Sequence, residues 1–165
     1  MYNEKVIEHF MNPRHVGVLD PCDGGGRIGD PDCGDFLEVT LRLSDESEVI
    51  TDIAFRVKGC PAAIATSSIM AEMVFGGAVD KALQMSDQDI VDALGGLPEA
   101  KVHCSLLAVR GLHLALQNAI YKRLFVKSGI VTSPEEFDQK YAAGELSHYF
   151  HTCDGSCEAP NPEKG

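Results

Sequence analysis

Leu37–Val57 reads LEVTLRLSDESEVITDIAFRV. Leu37, Val39, Leu41 and Leu43 alternate with Glu38, Thr40 and Arg42. After the polar turn Ser44–Glu48, Val49, Thr51, Ile53, Phe55 and Val57 follow, interrupted by Asp52 and Arg56. Side chains of a strand point to opposite faces in turn, so this pattern predicts an antiparallel hairpin with one apolar face and one wet face. Upstream, Asn3 suits the cap of a short helix whose Val6, Ile7, Phe10 and Met11 form an apolar stripe, and Pro13 stops it. Between them, Asp20 to Gly34 is rich in Gly and Asp. It has room for a short strand around Arg27 and Ile28, and otherwise reads as a mobile loop.

Downstream of the hairpin the period changes from two to that of a helix. Pro61 suits the first turn of a helix running through Ile64, Ser68 and Glu72 to a stop at Gly76-Gly77. Ser86 with Asp89 three residues on forms a box-like cap for the next helix, which Gly95-Gly96 closes. Val109, Leu112, Leu116, Ala119, Ile120 and Leu124 then recur at helical spacing, with Lys122, Arg123 and Lys127 toward the C-terminal end. Ser133-Pro134-Glu135-Glu136 opens a last short helix, and from Gly144 onward the chain reads as poorly ordered. The order is α+β. At 165 residues, 44% of them hydrophobic, the chain holds one domain, placed at residues 1–130, and a short helix with a flexible tail at 131–165.

Charge removes several classes of function. A net charge of -11 with no stripe of Lys and Arg repels phosphate backbones, so nucleic acid is excluded as a partner. No apolar run approaches the roughly 20 residues that cross a bilayer. Residues 1–10 carry Glu4 and Glu8 in place of a signal or transit pattern. The expected location is the cytoplasm, where cysteines stay reduced and serve metals or catalysis more often than disulfides.

Three of the six cysteines stand far apart, in Asp32-Cys33-Gly34-Asp35, Gly59-Cys60-Pro61 and Lys101-Val102-His103-Cys104-Ser105. Close Cys-x-x-Cys pairs would mark a zinc knuckle; wide spacing requires the fold to assemble the site from separate segments. Cys60 and Cys104 each fall at the start of a helix, where unpaired N–H groups favour the thiolate that binds metal or attacks sulfur. Asp35, two residues after Cys33, shares its side of an extended backbone. His103 offers a neutral nitrogen beside Cys104, although neighbours at a helix start are expected to splay, leaving one or the other to bind. Cys33, Asp35, Cys60, His103 and Cys104 exceed what one tetrahedral ion needs, which suits a cluster that must form and leave. Lys101 reads as either an assisting charge or a solvated loop residue. Cys22, and Cys153 with Cys157 near His148 and His151, read as incidental thiols ahead of a second metal site.

These motifs resemble the IscU/NifU-type iron-sulfur cluster assembly scaffolds. The likeness rests on Tyr2–Gly17 (YNEKVIEHFMNPRHVG), Cys33-Gly34-Asp35, Gly59-Cys60 followed by Ala63–Ser68 (AIATSS), and Leu97-Pro98 leading to Lys101 and His103–Ala108 (HCSLLA), over roughly residues 2 to 127. The resemblance implies a small antiparallel sheet of about three strands with helices packed on one face. It also implies that Cys33, Cys60 and Cys104 accept sulfur from a cysteine desulfurase and hold a nascent 2Fe-2S cluster, with Asp35 or His103 as the remaining ligand. Zinc would fit the same site. The cluster would pass to apo-proteins, and a homo-oligomer is compatible with the pattern. Where the family's chaperone-recognition run has two prolines and a valine before its lysine, this chain has Leu97-Pro98-Glu99-Ala100-Lys101, which leaves a dedicated chaperone unsupported. Asp32 replaces a small residue before the first cysteine. Two other classes compete: a zinc-dependent sulfurtransferase, against which His103 stands, and a metal-stapled interaction module with an inert site.

Overall fold

The computed structural model describes residues 1–30, 32 and 34–149. Helix α1 (Glu4–Met11) leads to strands β1 (Gly24–Gly29), β2 (Phe36–Leu43) and β3 (Ile50–Lys58), then helices α2 (Pro61–Val74), α3 (Val79–Leu83), α4 (Asp87–Ala93), α5 (His103–Ser128) and α6 (Pro134–Ala142). The strands form one antiparallel sheet in the order β1-β2-β3. The expected α+β fold is therefore present, with the hairpin of β2 and β3 at its centre. Chain contacts divide the molecule into one compact unit, Met1–Arg123, and a second that begins at Leu124. Among the described residues no helix is long and apolar enough to cross a membrane.

The hairpin pairs Leu37 with Val57, Val39 with Phe55 and Leu41 with Ile53, and these residues, with Leu43 and Ile50, face the core. The alternation read from the sequence fails at one end of β3. The register slips between Arg42 and Leu43, so that Leu43 faces Ile50; Ile50 is fully buried and Thr51 is exposed. A bulge inserts one residue into a strand and reverses the facing of everything beyond it, which the residue pattern does not announce. The outer face is also drier than expected. Glu38, Thr40 and Ala54 are buried there. The segment after α1 lies over this side: the Leu19 N–H donates to Thr40 Oγ1 at 2.9 Å, and His15 and Gly17 bond the backbone of Phe55 at 2.9 and 2.8 Å.

The short strand expected around Arg27 and Ile28 is present and extends from Gly24 to Gly29, inside the stretch otherwise read as a loop. Gly24 and Gly26 pair with Leu41 and Val39 and so face inward, against α5. A Cβ on Gly24 would collide with the Ala115 carbonyl oxygen, and one on Gly26 would lie 2.7 Å from Ala115 N and 2.8 Å from Gly111 O. β1 thus docks backbone to backbone on a helix, an approach that side chains would prevent. Gly111 returns the fit, because a Cβ there would meet Leu37 Cδ2 at 2.8 Å.

Helix α2 is buried along most of its length by Ala, Thr, Ser and Ile side chains, and its hydroxyls are satisfied internally. Ser68 Oγ accepts from Arg14 N–H and bonds His9 Nδ1, both at 2.9 Å. On α1 the buried positions are accordingly Val6 and His9, while Ile7 and Met11 of the expected apolar stripe are exposed. Asn3 Oδ1 caps α1 by accepting from Val6 N–H at 3.0 Å, and its Nδ2 donates to the carbonyls of Leu94 and Gly96 at the end of α4. The capping box of Ser86 with Asp89 is present. In the second unit, Phe125, Val131, Phe137 and Leu146 bury one another. Leu146, beyond Gly144, packs within this cluster.

Candidate metal centre

The hairpin register delivers the first ligand candidate. Phe36 pairs with Lys58, so Asp35 emerges from β2 opposite Gly59, the residue between β3 and Cys60. A Cβ on Gly59 would lie 3.1 Å from Asp35 Oδ1 and 3.0 Å from Ala63 Cβ. Glycine there lets the carboxylate lie over the start of α2. Cys60 is the N-cap residue of that helix, with Pro61 in the first turn. Cys104 is the second residue of α5 and only 1% exposed, in a small apolar cluster with Ala62 and Ala63 bordered by Tyr2, Val57 and Leu97. Thr66 Oγ1 donates to the Cys104 carbonyl at 3.2 Å and fixes α5 to α2 at the site.

Cys60 Sγ lies 3.6 Å from Cys104 Sγ, and Cys104 Sγ lies 3.6 Å from His103 Nε2. His103 and Cys104 are not splayed, as the sequence suggested, because the imidazole turns back over the neighbouring thiol. Ligand atoms of Asp35, His103 and Cys104 all fall within 4.8 Å of one another. Two thiolates at about 2.3 Å from one tetrahedral ion are about 3.8 Å apart, and a thiolate and an imidazole nitrogen about 3.6 Å. Each spacing taken singly matches two donors on one ion, but Cys60 does not join the Asp35, His103 and Cys104 group, so it approaches Cys104 alone. Soft sulfur with borderline nitrogen and one hard oxygen is a donor set for zinc or for iron in a sulfur cluster.

The two thiols differ in chemistry. Burial opposes ionisation of Cys60, but the N–H groups of Ala63 and Ala62, the hydrogen bond with Cys104 and the charge of Lys101 outweigh it and hold its pKa below the ordinary thiol value. Burial pushes the Cys104 thiol up to about 12, assisted by the Cys60 sulfur and by the Asp35 charge, with Lys101 opposing. Lys101 stands in the 3-10 turn Glu99–Lys101, and its charge reaches both sulfurs. In the metal-free protein Cys60 is thus the sulfur that ionises first.

Of the residues singled out from the sequence, Asp35, His103 and Cys104 come together with Cys60 beside Cys104, and the charge of Lys101 reaches the two sulfurs. Cys33 lies outside the described residues, as do His151, Cys153 and Cys157. Cys22 stands before β1 and joins no grouping of metal-ligand side chains among the described residues. His148 stacks on Tyr149. Sequence reasoning assigned no role to Gly59 or Thr66. A glycine directly before a candidate ligand was the available signal for the first; a helical hydroxyl gives none for the second.

Residues 1–125 match the family profile of the NifU-like N terminal domain. The chain belongs to this family. Over 122 residues it is 45% identical to the iron-sulfur cluster assembly scaffold protein IscU of Aquifex aeolicus, covering 74% of this chain and 78% of that protein. The iron-sulfur cluster assembly scaffold protein IscU 1 of Archaeoglobus fulgidus is 38% identical over 159 residues, 93% of this chain and 99% of the relative. The nitrogen fixation protein NifU of Azotobacter chroococcum is 44% identical over 117 residues, but those make up only 38% of its length. A nitrogen-fixing NifU-like protein (N-terminal) from Brucella abortus superposes with a TM-score of 0.56 at 24% identity, over 73% of this chain and 94% of that one, and this likeness shows the fold alone. The NifU-like family match covers α1 through most of α5, and so includes Asp35, Cys60, His103 and Cys104.

Proposed function

We propose that this chain is a scaffold on which iron-sulfur clusters are built and from which they are handed to apo-proteins. The observation that carries the reading is the convergence of Cys60, Cys104, His103 and Asp35 in a chain whose relatives, one of them matched along nearly its whole length, are named cluster assembly scaffolds. Cys33 completes the set. The cluster is cargo, so binding must be strong enough to assemble it and weak enough to release it, which a mixed ligand set provides.

Sulfur enters as a persulfide. Cys60 thiolate, favoured by its helix terminus and by Lys101, attacks the outer sulfur of a persulfide on a cysteine desulfurase. The sulfur–sulfur bond breaks, the desulfurase thiolate leaves, and the scaffold holds the new persulfide with no net change of oxidation state. Turning that sulfur into cluster sulfide takes two electrons, supplied by an external thiol or other reductant. Cys33, Cys60 and Cys104 then hold the two-iron cluster, with Asp35 or His103 as the remaining ligand. The protein is a carrier in this reading, and no turnover is required of it.

The grouping of Asp35, His103 and Cys104 also supports zinc in the same site, and with it a zinc-dependent sulfurtransferase as the second reading. One experiment separates the two. Anaerobic incubation with ferric iron and sulfide, followed by absorption spectra and metal analysis, is expected to give sulfide-to-iron charge-transfer bands with the wild type and with Cys22→Ser. Cys33→Ser, Cys60→Ser and Cys104→Ser are each expected to lose them. A stable cluster in any of those three overturns the ligand assignment. Uptake of zinc alone, with persulfide turnover on added desulfurase, would replace the scaffold reading with the sulfurtransferase.

A further inference from the structure

Cys60 Sγ and Cys104 Sγ are in contact at 3.6 Å. Among the described residues, Asp35, His103 and Cys104 form a grouping of metal-ligand side chains that Cys60 does not join. As the fold stands, Cys60 therefore meets a sulfur, not the position an ion would take among the other three. The backbone holds the pair in place. Cys60 is the N-cap of α2 and Cys104 the second residue of α5, and the bond from Thr66 Oγ1 to the Cys104 carbonyl at 3.2 Å ties the two helix starts together. A disulfide needs the sulfurs about 2.05 Å apart, a closure that rotation of the two side chains supplies from contact distance. The sulfurs also differ in access. Cys60 is half-buried, whereas Cys104 is 1% exposed and packed against Ala62 and Ala63. A small oxidant in solution thus reaches Cys60 first, and Cys104 waits behind it.

We propose that Cys60 and Cys104 are a redox pair, in which peroxide oxidises Cys60, Cys104 resolves it, and the resulting disulfide closes the metal site. The Cys60 sulfur attacks one peroxide oxygen and the O–O bond breaks. Cys60 becomes a sulfenic acid and the other oxygen leaves as hydroxide. The Cys104 sulfur then attacks Cys60 Sγ, the S–O bond breaks, and the Cys104 proton leaves with the hydroxyl as water. Two electrons have passed from the two thiols to one peroxide, and a dithiol restores them by exchange. The consequence deepens the scaffold reading, on which it rests. With both sulfurs withdrawn, Asp35 and His103 offer a hard oxygen and a borderline nitrogen, and Cys33 is the only thiolate of the proposed set that remains. Such a set holds neither a cluster nor zinc well, because both depend on soft sulfur ligands. Loading of the site is thereby confined to reducing conditions.

The test treats the reduced, metal-free full chain with a small molar excess of hydrogen peroxide, blocks free thiols by alkylation, and maps the unreduced peptides by mass spectrometry. Zinc retention is read alongside, by competition with a chromophoric chelator. The Cys60–Cys104 link is expected to be the main cross-link, in the wild type and equally in Cys22→Ser. Zinc affinity is expected to fall at least tenfold with the link and to return when dithiothreitol removes it. In Cys104→Ser the link cannot form, and Cys60 should remain as a sulfenic acid that dimedone traps. A main cross-link to Cys33 or Cys22, oxidation of wild-type Cys60 to sulfinic acid while Cys104 stays open to alkylation in denaturant, or unchanged zinc retention by the linked protein overturns the proposal. Cluster assembly from iron and sulfide by the reduced protein is measured separately. Its failure removes the scaffold reading and leaves the redox pair standing, whereas a cluster-competent protein that forms no Cys60–Cys104 link removes only the redox pair.

Discussion

Alkylation rates of Cys60 and Cys104 in the reduced, metal-free protein test the asymmetry of the two sulfurs directly. With the Cys104 pKa near 12, against an ordinary value of 9.0, the thiolate fraction at pH 8 falls from about one tenth to about 10⁻⁴, a thousandfold loss of the reactive form. A more basic thiolate is intrinsically more nucleophilic, and a Brønsted slope of roughly 0.4–0.5 returns about 15- to 30-fold over three units. The net effect of ionisation is a rate about 30- to 60-fold below that of an ordinary thiol, and burial of Cys104 reduces it further. Cys60, whose pKa is lowered, reacts at or above the ordinary rate. The assay is a pulse of light iodoacetamide, a denaturing chase with the heavy form, and peptide mass spectrometry across pH 7 to 11. Cys104 should lag by at least about 30-fold at pH 8 and gain about tenfold per pH unit, while Cys60 levels off first. In Cys60→Ser the neighbouring sulfur's charge and hydrogen bond are gone, and Cys104 should react several-fold faster. Equal rates, or a Cys104 rate that does not change with pH, would show that burial and the paired sulfurs do not set its ionisation.

The close approach of β1 to α5 gives a stability test: Gly26→Ala, whose Cβ would meet backbone atoms of Ala115 and Gly111, should lower unfolding free energy by about 1–3 kcal/mol. Gly25→Ala, whose nearest neighbours are at 3.8 Å, should stay within about 0.5 kcal/mol in the same urea titration. His9 is buried, and burial, reinforced by the Arg14 charge, lowers its pKa below 6.5 despite Glu8 and Glu72. Below pH 6.5 the unfolded chain therefore binds a proton that the folded one refuses, so stability should fall as pH drops from 6.5 toward the folded pKa. His9→Gln should flatten that part of the melting-temperature profile, and an unchanged slope would exclude His9 as its source. At the site, Asp35→Ala should still assemble a cluster but hold it longer, with slower transfer to apo-ferredoxin, because an oxygen ligand is the weakest of the set. A shorter-lived cluster in timed absorption decay would show instead that Asp35 retains the cargo.

What the sequence disclosed and what it withheld divide along a physical line. Wherever structure depends on side-chain period or on a cap, it was legible: Leu37 to Leu43 announced β2, Pro61 and Ser133 opened α2 and α6, and Ser86 with Asp89 opened α4. β1 showed only as room for a short strand around Arg27 and Ile28, because its inward positions are Gly24 and Gly26 and its contacts with α5 are made by backbone. The bulge that buries Ile50 was silent, since Val49, Ile50 and Thr51 fit either phase, and α3 is too short for a period to appear. The residues that meet at the candidate site were legible one by one, as Cys60, Asp35, His103 and Cys104 in their motifs, but the inequality of the two thiols was not. Both thiols begin helices, and a helix terminus alone argues for two similar thiolates. Cys104 departs from that because Ala62 and Ala63 remove water from it while Cys60 and Asp35 set negative charge beside it, and all four come from other segments of the chain. A thiol's environment is a property of the assembled fold, so two cysteines with the same local motif can divide the work of taking up sulfur and of holding metal.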